Sequence, residues 1–297
     1  MEVDGGALKV LDELTENSAL YSKIVGLDRE GLDSELSQQL LELSRAQGVA
    51  SYLMLLFLFK KKDQLELEDE TLAFIVKLLV CFFVRRNLTD TPPTRDLERL
   101  FISICENLES ESFKGIAAAK YIKKRLVDVS ASDASFKERL EGPIYDVNPD
   151  MTRYILTVLA SPSVTKETKG LWDRYASGNF VWTIEHIFPQ GKNIPDEWVK
   201  MVADGDVAKA IEVQERQVHT LGNLTITGYN SKLSNMPFIT KRDRKDANGA
   251  NVGYRNGLNL NDELINTDTW TGEQIQKRTE RLVKLTLKAF DFSEIRF

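Results

Sequence analysis

The 297-residue chain holds two histidines, His186 and His219, and both fall in one window between residues 181 and 245. The first follows an acid in Val181-Trp182-Thr183-Ile184-Glu185-His186-Ile187-Phe188-Pro189-Gln190. The second lies just before Leu221-Gly222-Asn223-Leu224-Thr225-Ile226-Thr227-Gly228-Tyr229-Asn230. An ordinary imidazole is substantially neutral slightly above pH 7 and can take a proton from water. One carboxylate and one amide oxygen are protein ligands enough for Mg²⁺, which keeps several of its waters. Lys232, Lys241, Arg242, Arg244 and Lys245 follow, opposed by Asp243 alone, for a net +4 across 232–245. Such a run is either a solvated helix face or a set of phosphate contacts.

The elements that must position these residues can be read around them. Val181, Thr183 and Glu185 alternate with Trp182, Ile184 and His186, the pattern of a short strand ending at Pro189. Leu224–Thr227 favours a second strand, and Gly228 allows a tight turn after it. The stretch from Asn230 to about Lys245 reads as helical, broken or kinked at Pro237. Asp196–Gln217, containing Trp198, reads as a helical insert. The order is strand, insert, strand, helix.

The pieces IEHIFPQ, LGNLTITGYN and NSKLSNMPFITKR resemble the HNH nuclease domain at the C-terminus of GmrSD-type restriction enzymes, within the wider ββα-metal nuclease class. The resemblance covers roughly 166–297, including a closing helix around 270–290, and the preceding helical half is similar to the connector of those proteins. It implies His186 as the general base and Asn223 as the residue that orients the loop of that base. It implies Glu185 and Asn230 as ligands of Mg²⁺ or Mn²⁺, the choice of Asn230 over Asn235 resting on spacing. Lys241 aligns with the family's terminal Lys and stands first among the phosphate contacts. Many HNH nucleases have Asp in place of Glu185 and His in place of Asn230, and the 37 positions from His186 to Asn223 exceed the compact motif. No Cys falls within 181–245, so no structural zinc is expected.

Each residue has a plainer reading beside this one. Glu185–His186 alone would suit a hydrogen-bonded pair at a strand edge. Asn223 alone would suit a turn. His219 reads as a structural histidine packed on the second strand, or as a supporting partner or substrate contact together with Asn235.

Upstream, helical periodicity marks 5–24, 33–47, 49–61, 70–87, 94–108, 113–127, 132–141 and 149–160. Asp150 and Thr94 read as start signals. No phosphate-cradling Gly-rich loop occurs there. The polar segment 161–170 is taken as the boundary between a helical connector, 1–165, and the nuclease domain, 166–297. The expected fold class is therefore mainly α: an N-terminal helical bundle, then a small α+β ββα-metal domain with surrounding helices.

The charge is divided unevenly. Residues 1–165 carry 20 basic and 27 acidic side chains, a net −7, and residues 166–297 carry 19 and 18, a net +1. A uniformly basic nucleic-acid coat is excluded, and the second half is the one able to approach a polyanion. Cys81 and Cys105 form no CxxC pair and read as reduced thiols of a cytoplasmic protein. No signal peptide or membrane-spanning run is visible. The expected function is a metal-dependent DNA endonuclease or nickase in prokaryotic restriction or anti-phage defence. By resemblance, a nucleotide-dependent sensor would lie outside this chain, on an N-terminal domain or subunit. A homo-oligomer would allow both strands to be cut. An RNA-directed nuclease or toxin, and a non-catalytic helical interaction protein with a relic nuclease fold, are the alternatives.

Overall fold

A computed structural model describes residues 5–160 and 170–297. Its contacts divide the described chain into two compact units: one built up to Ser132 and joined by Phe290–Phe297, the other Asp133–Ala289.

The first unit contains α1 (Gly5–Val25), α2 (Ser34–Arg45), α3 (Tyr52–Lys60), α4 (Asp69–Thr89), α5 (Thr94–Ser110) and α6 (Gly115–Val129). These reproduce the helices read from periodicity to within a few residues. The helix α4 is apolar on nearly every side, which is the pattern of a helix surrounded by others. Leu72, Ile75, Val76, Leu79, Phe82 and Phe83 are all buried, and α4 packs on both α2 and α6. The C-terminal segment returns to this unit. The Phe290 carbonyl accepts from Arg85 Nη1 at 3.2 Å, the Ile295 carbonyl from Lys123 Nζ at 2.8 Å, and the Phe297 ring meets Phe74 edge-on.

The second unit begins with α7 (Asp133–Glu141), α8 (Ile144–Val147) and α9 (Pro149–Ala160). Asn148 Oδ1 caps α9 by accepting from the Met151 amide at 3.0 Å, so the cap falls just before the Asp150 start signal. There follow β1 (Thr183–His186), α10 (Asp196–Ala203), α11 (Val207–Gln217), β2 (Leu224–Thr227), α12 (Asn230–Leu233), α13 (Phe238–Asp243), α14 (Asp262–Ile265) and α15 (Gly272–Ala289). The strands β1 and β2 pair antiparallel, with Ile184 opposite Ile226 and Glu185 opposite Thr225. The insert is helical, as expected. The helix expected over 230–245 is two short helices. Pro237 stands at the N-cap of α13, where its missing N–H costs nothing.

Two helices read as part of the N-terminal half, α7 and α9, belong to this second unit, together with the short α8 that was not expected: α9 packs on β2, and α7 packs on α15. The boundary expected at 161–170 lies, for 161–169, outside the described residues. An aromatic core formed by Phe188, Trp198, Phe238, Tyr254 and Trp270 backs the strands, with the Phe238 and Trp270 rings stacked at 5.8 Å. Among the described residues no helix is long and apolar enough to cross a membrane.

Candidate active site

Successive residues of a strand point to opposite faces, so β1 sends Glu185 and His186 in different directions. Glu185 goes inward. It is 3% exposed, and its Oε1 accepts from Lys241 Nζ at 2.6 Å. Lys241 is 0% exposed and donates also to the His186 and Ile187 carbonyls, at 2.9 and 3.1 Å. All three ammonium protons are thus engaged, as a buried cation requires. Burial pushes the Glu185 carboxyl up to about 6 against the pull of Lys241, and it pushes the Lys241 ammonium down against the pull of Glu185. The Tyr254 phenol, also buried, is held well above its usual range by desolvation and by the Glu185 charge. Gly253 allows this arrangement: a Cβ there would lie 2.1 Å from the Lys241 carbonyl oxygen.

His186 faces the other way. Its Nε2 lies 3.0 Å from His219 Nδ1, and the Tyr145 ring meets it edge-on at 4.8 Å. Tyr145 stacks on His219 at 5.4 Å, and His219 Nε2 lies 3.5 Å from Asp146 Oδ1. Burial above all, with His219 and Lys241 nearby, lowers the His186 pKa to about 3, so the ring is neutral at pH 7.

Asn223 holds the loop that follows β1. Its Oδ1 accepts from the Phe188 amide at 2.8 Å, and its Nδ2 donates to the Phe188 and Val218 carbonyls at 2.9 and 3.0 Å. Its own carbonyl accepts from the Ile187 amide at 2.9 Å. The turn Leu221–Asn223 is pressed onto α15. A Cβ at Gly222 would lie 2.0 Å from the Ile275 carbonyl oxygen, and buried Arg278 donates to the Gly222 and Leu224 carbonyls at 2.7 Å each.

Asn230, at the start of α12, donates from Nδ2 to the Ile184 carbonyl at 2.6 Å, which leaves its Oδ1 as an acceptor. Glu185, His186, Asn230 and Asn235 line one polar cavity of about 280 Å³, with Tyr145 and Gln190 among its other walls. Two larger cavities, about 550 and 470 Å³, lie in the helical unit, one lined by several acids and one mainly apolar. Neither contains a histidine, so size is a poor guide to chemistry here.

The basic run does not form one surface. Lys241 is interior. Arg242 is buried and donates to Asp243, Asp268 and the Thr267 carbonyl. Two of the five expected phosphate contacts are therefore structural in this fold: their charge is spent on internal partners. Arg244 is half-buried against Met236, and Lys245 is exposed. The side chain of Lys232 lies outside the described residues.

Sequence reading missed Tyr145, Asp146 and Arg278. The first two sit in α8, far upstream of the histidines, and carried no local signal. Arg278 had one: it falls in the buried stripe of α15 with Ile275 and Leu282.

A family model for the C-terminal domain of GmrSD restriction endonucleases matches residues 130–285. The match nearly coincides with the compact unit Asp133–Ala289. A comparison with curated proteins finds no match to this chain.

Proposed function

The chain belongs to the family of GmrSD restriction endonuclease C-terminal domains, which makes residues 130–285 a nuclease module of restriction-endonuclease type; on that premise we propose that it is an HNH-type site hydrolysing DNA phosphodiester bonds with Mg²⁺ or Mn²⁺. The observation that carries this reading is that His186, Glu185 and Asn230 all border one polar cavity, although β1 turns the first two side chains to different sides.

In this reading His186 is the general base. Its ring is neutral at pH 7 and can accept a proton from the attacking water. The negative charge of an arriving phosphate favours the imidazolium and so strengthens the base when substrate is present. Asn223 and Lys241 act on position. The first pins the Phe188 amide and carbonyl, the second the His186 and Ile187 carbonyls, so the backbone carrying the base is held from both sides. His219 packs against the base, and Asn235 stands at the cavity rim.

The donor chemistry fits a hydrated divalent cation. Lys241 holds Glu185 Oε1 and the Tyr254 phenol interacts with the same carboxylate, whose remaining lone pairs, with Asn230 Oδ1, are the oxygens on offer. Among the described residues no cluster of three His, Cys, Asp or Glu side chains exists that could hold a metal. Two oxygen ligands with retained waters suit Mg²⁺ or Mn²⁺, whereas zinc prefers nitrogen and sulfur. When bound, such an ion would stabilise the charge developing on the phosphate and the leaving oxygen.

The module would serve prokaryotic restriction or anti-phage defence in the cytoplasm, against foreign or modified DNA. Recognition would come from a nucleotide-dependent sensor on another domain or subunit, with the helices before residue 133 as connector. One such site cuts one strand per event, so a homo-oligomer or rebinding would produce double-strand breaks. Lys232, Arg244 and Lys245 remain the phosphate contacts of this proposal.

Supercoiled plasmid incubated with Mg²⁺, Mn²⁺ or EDTA tests the reading. We expect nicked circles with either metal and none with EDTA. His186→Ala should lower cleavage by about 10²-fold or more while remaining folded and binding DNA like the parent. Undiminished cutting by this variant would overturn the assignment of the base.

A further inference from the structure

Asp146, His219 and His186 lie in series. Asp146 Oδ1 is 3.5 Å from His219 Nε2, and His219 Nδ1 is 3.0 Å from His186 Nε2. The Tyr145 ring stacks on one imidazole and meets the other edge-on, so neither ring can rotate without displacing it. The Tyr145 amide also donates to the His219 carbonyl at 3.2 Å, which ties α8 to the residue it serves.

The positions of the protons follow from the partners. A bare ring nitrogen facing a carboxylate would set two lone pairs against each other, so His219 carries its proton on Nε2, toward Asp146. Its Nδ1 is then an acceptor. The short contact to that acceptor requires the proton of His186 to sit on its Nε2. His186 Nδ1 is therefore the bare nitrogen.

We propose that Asp146 and His219 are positioning residues that lock His186 in the Nε2–H tautomer and leave Nδ1 as the atom that receives the proton of water. The inference rests on the reading of His186 as the base and adds which of its atoms acts and what selects it. The wrong tautomer of a catalytic histidine presents a proton where a lone pair is needed, and loss of its orienting group is costly in other hydrolases. A helix from the stretch read as connector, α8, would thus complete the active site.

The scarcity of histidine makes a direct test clean. Long-range proton–nitrogen NMR of the ¹⁵N-labelled full chain, metal-free at one neutral pH, reads the tautomer of both rings. His186→Ala assigns the signals by deletion. Both rings should be Nε2–H. A His186 signal with the proton on Nδ1, or a doubly protonated His219, overturns the proposal with no appeal to activity.

Single-turnover nicking with Mg²⁺ and saturating plasmid supplies the second arm. His219→Ala and Asp146→Ala should each slow the step by roughly tenfold or more without changing DNA affinity, by analogy with groups that orient reactive side chains. His219→Asn sets an amide oxygen near the place of Nδ1 and should recover a substantial part of the rate. Full activity of folded His219→Ala sinks the lock while the base assignment stands. Full activity of His186→Ala sinks the base assignment itself.

Discussion

The interiors of the two units are built on different principles. Up to Ser132 the buried side chains are overwhelmingly apolar, and the buried polar ones among the described residues are Ser51, Thr71, Arg85 and Thr89. The unit Asp133–Ala289 buries Arg153, Glu185, His186, Asn223, Lys241, Arg242, Asn261 and Arg278, beside several threonines. Apolar burial is non-directional and tolerates many arrangements. Buried charges and amides are costly unless each finds its partner, and their hydrogen bonds fix direction. The helical unit is thus built for bulk stability. The second unit gives up part of that gain to hold individual backbone carbonyls and one imidazole in set places.

Paired substitutions would sharpen this contrast. Lys241→Met leaves the Glu185 carboxylate buried without its partner and should cost about 3–5 kcal/mol. Leu79→Ala, in the middle of α4, should cost about 2–5 kcal/mol through its cavity. Denaturant melts would place the two losses side by side. Nicking rates, measured where both variants are folded, should separate them: Leu79→Ala retains cleavage, and Lys241→Met loses most of it. Equal retention would mean that the buried ammonium is a stability device and nothing more.

The acid side of the stability profile gives a smaller effect. His186 has a folded pKa of about 3, below the ordinary 6.5, so between those values the unfolded chain binds a proton that the folded chain does not. Stability from this ring is full above pH 6.5 and is lost as pH falls toward 3, at most about 1.4 kcal/mol per pH unit. Glu185 acts oppositely. Its folded pKa of about 6 lies above its ordinary 4.5, so its contribution falls as pH rises across that interval. The two oppose each other between pH 4.5 and 6; below 4.5 Glu185 drops out, and the slope of His186 adds to that of carboxyls held low by cations, such as Asp243 beside Arg242. His186→Gln should therefore flatten the metal-free stability curve between pH 4.5 and 3. An unchanged slope there would place the acid sensitivity elsewhere.

The smallest effect concerns the surface. Arg244→Ala and Lys245→Ala should each reduce the salt dependence of DNA binding by about one phosphate contact, a change in slope near 0.9. A folded Arg242→Ala variant should leave that slope unchanged, because its guanidinium is already committed to Asp243 and Asp268. A fall in slope with Arg242→Ala and none with Lys245→Ala would reverse the division between structural and solvent-facing cations.

Much of this was legible before any coordinates. Helices made by a three-to-four-residue apolar rhythm, such as α4, are local facts, and so is Pro237 breaking the helix after Asn230. The Glu185–His186 pair and Asn223, the residues of the proposed site, also stand out by type and spacing. The fate of Lys241 was not read, although its signal was present: it stands three residues after Phe238, on the same buried face of α13. Charge counting treats all lysines as solvated, and here tertiary pairing overrides the count. Tyr145 and Asp146 were illegible for a deeper reason. They approach His219 from α8, and no local pattern encodes an approach across some 70 residues of chain.

The return of Phe290–Phe297 to the helical unit has a consequence for biogenesis. The Arg85 and Lys123 side chains of that unit donate to carbonyls 205 and 172 positions further along the chain. A nascent chain can form α1–α6 early, yet it cannot seal that unit until translation has passed the whole of Asp133–Ala289 and Phe290–Phe297 have followed. Of the two units, the one begun earlier closes only after the other has been made.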